Sequence, residues 1–216
     1  MRVHQGTRRL AGFAVALVLA FGSASLAAAQ TIIDDWAKVQ PPPAPALKPA
    51  PVPAKTTALL VMDLLQRSCN QERRPRCVAS LPKIKALIAA AQAKGVTVIW
   101  TYYPGAKPED IWPEVAPPAG TKFVVANSDK FLETDLEKEL KDKGITTLIA
   151  VGTGAQGAVL FTASEAALRG FKVVVPVEGM SSESLYLEQA AAYLLTVAPG
   201  IANNVTLTKL DMISYQ

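Results

Sequence analysis

The sequence predicts an α/β fold, a single domain in which helices cover both faces of a mostly parallel sheet of about six strands. Short apolar runs alternate along the chain with segments whose apolar positions recur at helical spacing. Half of the 216 residues are hydrophobic and 19% are charged, which is enough for a sizeable core and excludes a wholly disordered chain. Because ligands of such folds gather at the carboxyl ends of the strands, functional residues are expected there.

Six segments are predicted as strands because each is a short run of apolar and β-branched residues. The first of them ends in an acid, Asp63, as expected where a buried parallel strand meets solvent. The predicted strands are residues 57–63, 96–103, 123–126, 145–151, 171–177 and 204–210.

Four segments are predicted as helices from their spacing and their end signals. Ser80 is a candidate N-cap, and Gly95 and Gly170 each follow the last residue of a helix. Thr134 and Glu137 form a capping-box pattern. The predicted helices are residues 80–94, 134–144, 158–169 and 182–195.

The first 29 residues have the three-part layout of a secretory signal peptide. Residues 1–9 are basic, residues 10–22 are apolar and residues 23–29 are small, which predicts cleavage after Ala29 and a periplasmic or secreted protein. A transmembrane helix is the alternative, but the apolar run is 13 residues long, whereas a span needs roughly 20.

A proline-rich segment follows the leader. Residues 37–56 hold 7 of the 16 prolines, a composition that favours extended polyproline II over packing. Residues 30–56 are therefore predicted to be an arm or linker in front of a domain at 57–216. Binding to a proline-recognising partner is the alternative.

Charge and histidine content exclude several function classes. The net charge is +4, but residues 1–30 carry three arginines and no acid, so the remainder has 19 basic and 18 acidic side chains. Nucleic acid is therefore not expected as a partner. The single histidine, His4, also lies in the leader, which excludes histidine-based triads and histidine zinc ligands from the domain. No metal site is predicted.

The two cysteines, Cys69 and Cys77, are eight positions apart. In an oxidising compartment, with no other cysteine available, they are predicted to form a disulfide; two free thiols are the alternative. Four arginines surround this loop and predict either an anion-attracting rim or a plain solvated loop: Arg67, Arg73, Arg74 and Arg76.

Residues 152–157 spell GxGxxG between a predicted strand and a predicted helix, and Glu178 ends the next strand. This pattern resembles a dinucleotide-binding fingerprint. However, three strands precede the pattern, and the acid follows the first glycine by 26 positions, several more than the roughly 20 that are usual. We therefore expect no nicotinamide or flavin cofactor.

Four sequence stretches together resemble the isochorismatase-like hydrolases, a superfamily that includes nicotinamidases and other cysteine hydrolases. They are TALLVMD at 57–63, FLETDL at 131–136, GTGAQGAVLFTA at 152–163 and AALRG at 166–170. The resemblance covers roughly residues 57–180 and implies a three-layer, Rossmann-like α/β sandwich around a parallel sheet.

The resemblance also implies where catalytic residues lie. The family has an Asp at the end of the first strand, which matches Asp63. Its nucleophilic Cys falls on Ala158, and its Lys falls on Val125, with Lys122 and Lys130 as nearby substitutes. A structural Asp63 that caps a loop, and a solvated Lys130, remain open as alternatives.

The family's substrate-binding turn corresponds to residues 152–158. A non-proline cis peptide is implied at Thr153–Gly154. Peptide N–H groups of this turn would then point at a ligand oxygen. The implied substrate-binding residues are Thr153, Gly154, Ala155, Gln156 and Ala158.

Loss of the cysteine is compatible with activity, because isochorismatases proper also lack it and cleave a vinyl ether after protonation by an Asp. They also resemble this chain in the alanine at residue 155, but the histidine that follows it in those enzymes is Gln156 here. The predicted function is therefore that of an exported hydrolase of a small metabolite that uses Asp63 and no thiol. An inactive family member that binds a small ligand or a protein is the alternative, and a homo-oligomer is possible.

Overall fold

The structure is a computed structural model that describes residues 31–216. The predicted signal peptide, residues 1–29, lies outside the described residues. The chain divides after Pro41 into two units. The described part of the first unit contains one short helix, α1 (Ile32–Asp35), and a 3₁₀ turn at Trp36–Lys38.

Seven strands of the second unit form one sheet in which every pairing is parallel. This confirms the predicted fold class. The strands are β2 (Thr57–Met62), β3 (Thr97–Tyr102), β4 (Phe123–Val125), β5 (Thr147–Thr153), β6 (Lys172–Pro176), β7 (Met180–Ser181) and β8 (Val205–Thr208). Their spatial order is β4-β3-β2-β5-β6-β8, and the two-residue strand β7, which the sequence did not predict, pairs with β5.

Alternate residues of the central strand β2 face two different cores, as the period of a strand requires. Leu60 and Met62 join a core that contains the buried faces of three helices, whereas Leu59 and Val61 join the core beneath a fourth. This gives the three layers. The helices of the first core are α3 (Leu136–Asp142), α4 (Leu160–Leu168) and α5 (Leu185–Val197), and that of the second is α2 (Pro75–Ala93).

Two predicted signals for helix starts, the Ser80 N-cap and the capping box at Thr134, were wrong. Helix α2 begins at Pro75 rather than at Ser80, because proline is well suited to the first helical position, where its missing N–H is not needed. Ser80 instead lies inside the helix, with its hydroxyl donating to the Cys77 carbonyl at 2.7 Å. Helix α3 begins at Leu136, and the Thr134 hydroxyl donates to the Lys130 carbonyl at 2.7 Å rather than forming the expected capping box.

None of the helices described between residues 31 and 216 is long and apolar enough to cross a membrane.

Part of the proline-rich segment is built into the second unit. Strand β1 (Ala50–Val52) pairs in parallel with β9 (Ile213–Tyr215), a strand that the sequence pattern did not predict. Ala50 and Val52 are buried in the core beneath α2, and Pro51 between them is exposed. The alternation lets the apolar side chains pack even though proline cannot donate a ladder hydrogen bond.

Candidate active site

A cavity of about 380 Å³ opens at the carboxyl ends of the central strands. It lies where ligands of parallel α/β sheets are expected. Its lining residues are Asp63, Ser68, Arg73, Arg74, Tyr103, Asn127, Ser128, Thr153, Gly154, Gln156, Gly157 and Ala158.

A buried ion pair between Asp63 and Lys130 lies at this cavity. Lys130 Nζ donates to Asp63 Oδ2 at 2.8 Å and to the Ala126 carbonyl at 2.9 Å. Thr101 Oγ1 donates to the other oxygen of Asp63, also at 2.8 Å. Both oxygens of the carboxylate are therefore held, while the side chain of Asp63 still borders the cavity.

The backbone positions both members of the pair. Asp63 follows β2 with φ 55°, a left-handed conformation that few residues other than glycine and asparagine adopt easily. Its N–H donates to the Thr101 carbonyl at 3.2 Å, which ties it to the neighbouring strand β3. Lys130 lies between β4 and α3, and its own N–H donates to Thr162 Oγ1 of α4 at 3.2 Å.

Burial controls the protonation of the pair. Desolvation raises the pKa of Asp63, and the charge and hydrogen bond of Lys130 oppose this rise only in part. Desolvation likewise lowers the pKa of Lys130, against the opposing charge of Asp63. Both shifts favour the neutral forms, so the carboxyl is a better proton donor near neutral pH than an exposed aspartate.

The glycine-rich turn that follows β5 forms the opposite side of the cavity. A Cβ at Gly152, whose φ is 138°, would lie 2.0 Å from the Met62 carbonyl oxygen, so the close approach of β5 to β2 requires glycine. The Thr153–Gly154 peptide is cis, as the resemblance implies. A turn at Ala155–Val159, kinked at Gly157 (φ −113°, ψ −105°), precedes α4 where the sequence predicted a helix from residue 158.

Four of the five predicted substrate-binding residues line the cavity: Thr153, Gly154, Gln156 and Ala158. The fifth, Ala155, does not. Its side chain is fully buried and packs in the core between the sheet and helices α3–α5. The apolar methyl group of Ala155 is taken up by this core rather than by the cavity.

The structure separates the two candidate lysines. Lys122 is exposed and pairs with Glu139 of α3, beside Thr97 at the amino end of β3. Because all strands of this sheet are parallel, the amino ends lie on the opposite side of the molecule from the carboxyl ends, where Asp63 lies. The prediction of Lys122 as a site residue is therefore corrected. Lys130 is fully buried, which excludes the alternative of a solvated surface residue.

Four cavity residues were not named as site residues by the sequence analysis: Ser68, Tyr103, Asn127 and Ser128. Three of them lie within three residues after a strand, since β3 ends at Tyr102 and β4 ends at Val125. Ligands of parallel sheets bind at the carboxyl ends of the strands, which is why Asp63 was a candidate. The same rule indicates these three residues.

The cysteine loop closes another side of the cavity. Cys69 and Cys77 are bonded, with Cα atoms 5.4 Å apart, which confirms the predicted disulfide. Arg73 and Arg74, which lie inside the bonded loop, line the cavity. Arg67 instead stacks on Tyr103, with its guanidinium carbon 4.6 Å from the ring centroid.

The acid of the apparent dinucleotide pattern lies elsewhere. Glu178 pairs with Lys83 at 3.6 Å and accepts a hydrogen bond from the Leu210 N–H at 3.3 Å. It does not line the cavity that contains the glycine-rich turn. Among residues 31–216, no group of three or more histidine, cysteine, aspartate or glutamate side chains is placed to hold a metal ion.

Comparison with solved structures supports the same fold. The chain resembles an isochorismatase family protein from Desulfovibrio vulgaris, with 19% identity, a TM-score of 0.65, and coverage of 73% of this chain and 95% of that one. It also resembles a cysteine hydrolase from Pseudomonas syringae, with 17% identity, a TM-score of 0.64, and coverage of 78% and 95%. An N-carbamoylsarcosine amidase from Thermoplasma acidophilum is similar at 19% identity, a TM-score of 0.60, and coverage of 72% and 97%.

A comparison with curated proteins finds no match to this chain. The isochorismatase domain, in contrast, matches residues 57–206. This range contains five of the six strands of the main path of the sheet, the first two residues of β8, and the pair of Asp63 and Lys130. The chain belongs to the isochorismatase family.

Proposed function

We propose that this protein is an exported hydrolase that acts on a small metabolite by acid chemistry at Asp63, without a thiol nucleophile. The observation that carries the proposal is the ion pair of Asp63 with Lys130 at the edge of the cavity. A buried carboxyl with a raised pKa is suited to donate a proton to a bound substrate.

A thiol mechanism has no free nucleophilic cysteine available in this chain. The residue at the position implied for the nucleophile is Ala158, whose methyl group has no lone pair with which to attack a carbonyl. The chain has two cysteines, and both are used in the disulfide. The single histidine is His4 in the predicted leader, so no imidazole activates a hydroxyl in the domain.

Cleavage of a vinyl ether fits these residues. Asp63 donates its proton to the enol carbon, which leaves an oxocarbenium ion. Water adds to that ion, and the resulting hemiketal breaks its C–O bond to release a ketone and an alcohol. The proton lost by the water restores the Asp63 carboxyl. Lys130 and Thr101 hold the carboxylate while it is charged.

The test is a screen of vinyl-ether and amide metabolites with three forms of the protein: the wild type, the iodoacetamide-treated protein and Asp63→Asn. Asparagine tolerates the left-handed backbone of residue 63 but carries no transferable proton. We expect alkylation to leave turnover unchanged and Asp63→Asn to lower it about 10²–10⁴-fold. Asp142→Asn is the control, since it removes an exposed carboxyl that pairs with Lys138 on α3.

Full activity of Asp63→Asn would show that Asp63 is structural. Turnover that alkylation abolishes would refute the thiol-independent mechanism. If no compound is turned over while one of them raises the melting temperature, the protein is a binding module instead.

Export is tested separately. We expect N-terminal sequencing of the mature protein to begin at Gln30, because residues 23–29 are small and precede it. Protein that retains Met1 at its N-terminus would contradict cleavage.

A further inference from the structure

Two consecutive arginines of the cysteine loop form one wall of the cavity. They differ in burial. The Arg74 side chain is 11% exposed, whereas that of Arg73 is 56% exposed. Arg74 is therefore an inner group of the cavity, and Arg73 lies at its rim.

Arg74 is held in place by partners that leave donors unused. Its Nη1 donates to the Ser68 carbonyl at 3.1 Å, and its Nη2 donates to Glu183. Arginine has five N–H donors in a fixed plane. Its Nε is buried and has no hydrogen-bond partner among the described residues. A buried guanidinium with unused donors is a binding group for a planar anion.

The charges of this wall do not cancel. Arg73 and Arg74 share one carboxylate, that of Glu183. Burial alone would raise the pKa of Glu183, but hydrogen bonds from its own backbone, Arg74 and Ser182 lower it to about 2. Glu183 is therefore ionised, and the three groups together carry one positive charge. Asp63 and Lys130 form a neutral pair.

The arginine wall is close to the substrate-binding turn. A Cβ added to Gly154 would lie 3.7 Å from Arg74 Nη2 and 3.0 Å from Gln156 Oε1. Gly154 and Asp63 line the same cavity, so a small molecule that contacts Arg74 also reaches the proposed acid.

We propose that the cavity binds a monocarboxylate, with the carboxylate on Arg74 and Arg73 and the reacting group toward Asp63. This proposal rests on the proposed function and names its substrate class. One carboxylate neutralises the single excess charge, whereas a phosphate monoester would leave a net negative site. The fork of Arg74 also matches the planar geometry of a carboxylate.

The experiment is calorimetric titration with matched pairs of a carboxylate and its amide: acetate and acetamide, crotonate and crotonamide, benzoate and benzamide. The members of each pair have nearly the same shape and differ in charge. We expect the wild type to bind at least one carboxylate about tenfold or more tightly than its amide, since hydrogen bonds to charged groups are stronger than those between neutral groups. No preference in any pair would overturn the proposal.

Substitutions test whether the arginines of this wall cause the preference for a carboxylate over its amide. Arg74→Gln should weaken carboxylate binding about tenfold or more and leave amide binding unchanged. Arg74→Lys, which keeps the charge but not the fork, should lose part of the preference and serves if the glutamine variant does not fold. The matched control is Arg76→Gln. Arg76 also lies within the disulfide-bonded loop, but it binds Glu188 at 2.9 Å and does not line the cavity.

The same titration separates this proposal from the proposed function. Asp63→Asn should retain the Arg74-dependent preference for carboxylates, because binding does not use the proton of Asp63. Full activity of Asp63→Asn together with a preserved preference would refute the acid mechanism and leave the carboxylate subsite intact. A preference that survives Arg74→Gln, or that Arg76→Gln removes equally, would refute the subsite.

Discussion

Lys130 Nζ lies 2.8 Å from Asp63 Oδ2, although the two residues are 67 positions apart in the chain. The family resemblance implies a lysine at residue 125, which is Val125 here, on the last position of β4. Lys130 comes from the loop between β4 and α3. A different backbone position thus delivers an ammonium group to the carboxylate at the end of β2.

Lys130→Met is expected to change both stability and pH dependence. Loss of the lysine leaves the buried Asp63 carboxyl without its partner, which costs about 3–5 kcal/mol of unfolding free energy where the carboxyl is ionised. The lysine also opposes the desolvation that raises the pKa of Asp63, so its removal raises that pKa further. In the proposed mechanism the acid form of Asp63 is the active one, so the rate should fall as pH rises through this pKa, and in the variant the fall should occur at higher pH. Urea denaturation and a pH–rate profile measure the two effects.

Lys122→Met is the matched control for that experiment. Lys122 pairs with Glu139 on the surface, where solvent screens an ion pair and it contributes little to stability. A pH–rate profile that moves equally in both variants would show that Lys130 does not act through Asp63.

The six strands of the main path of the sheet, the disulfide and Asp63 were predictable because each depends on local sequence: an apolar run, two cysteines eight residues apart, and an acid at a strand end. The choice between Lys122 and Lys130 was not. It depends on the path of the β4–α3 loop, which Thr162 of α4 fixes through a contact 32 positions away. The inward direction of Ala155 depends likewise on tertiary packing.

The disulfide between Cys69 and Cys77 is expected to stabilise the protein by closing a short loop. For a separation of eight residues, the chain-entropy relation gives about 2.5 kcal/mol. Thiol titration of the denatured, non-reduced protein should find no free thiol, and the double variant Cys69→Ser, Cys77→Ser should lose about this much unfolding free energy. Two titratable thiols per chain would show that the bond does not form.

Gly152→Ala is expected to prevent normal folding of the site. The added Cβ would meet the Met62 carbonyl at 2.0 Å in a backbone with φ 138°, so β5 and β2 would have to move apart. The cost should exceed about 4 kcal/mol, a range reserved for severe packing defects. Gly95→Ala is the control, because φ is 73° there but nothing lies within 4 Å of the new atom. It should cost only about 1–2 kcal/mol, and equal losses in the two variants would contradict the close-contact argument.

Glu183→Gln is expected to remove an acid-dependent part of the stability. The pKa of Glu183 falls from its ordinary 4.5 to about 2 in the folded protein. Between these values the unfolded state binds more protons, so the free energy of unfolding of the wild type decreases as pH falls. The melting temperature of the wild type should therefore exceed that of Glu183→Gln above pH 4.5, and the difference should vanish as pH approaches 2.

A double-mutant cycle with Arg74→Gln provides the control. In that background the acid-dependent difference should shrink, because Arg74 is one of the donors that hold the Glu183 carboxylate in its charged form. A difference that persists unchanged at the lowest pH would show that Glu183 stabilises the fold by packing rather than by charge. An acid-dependent difference that is the same with and without Arg74 would show that Arg74 does not hold the carboxylate in its charged form.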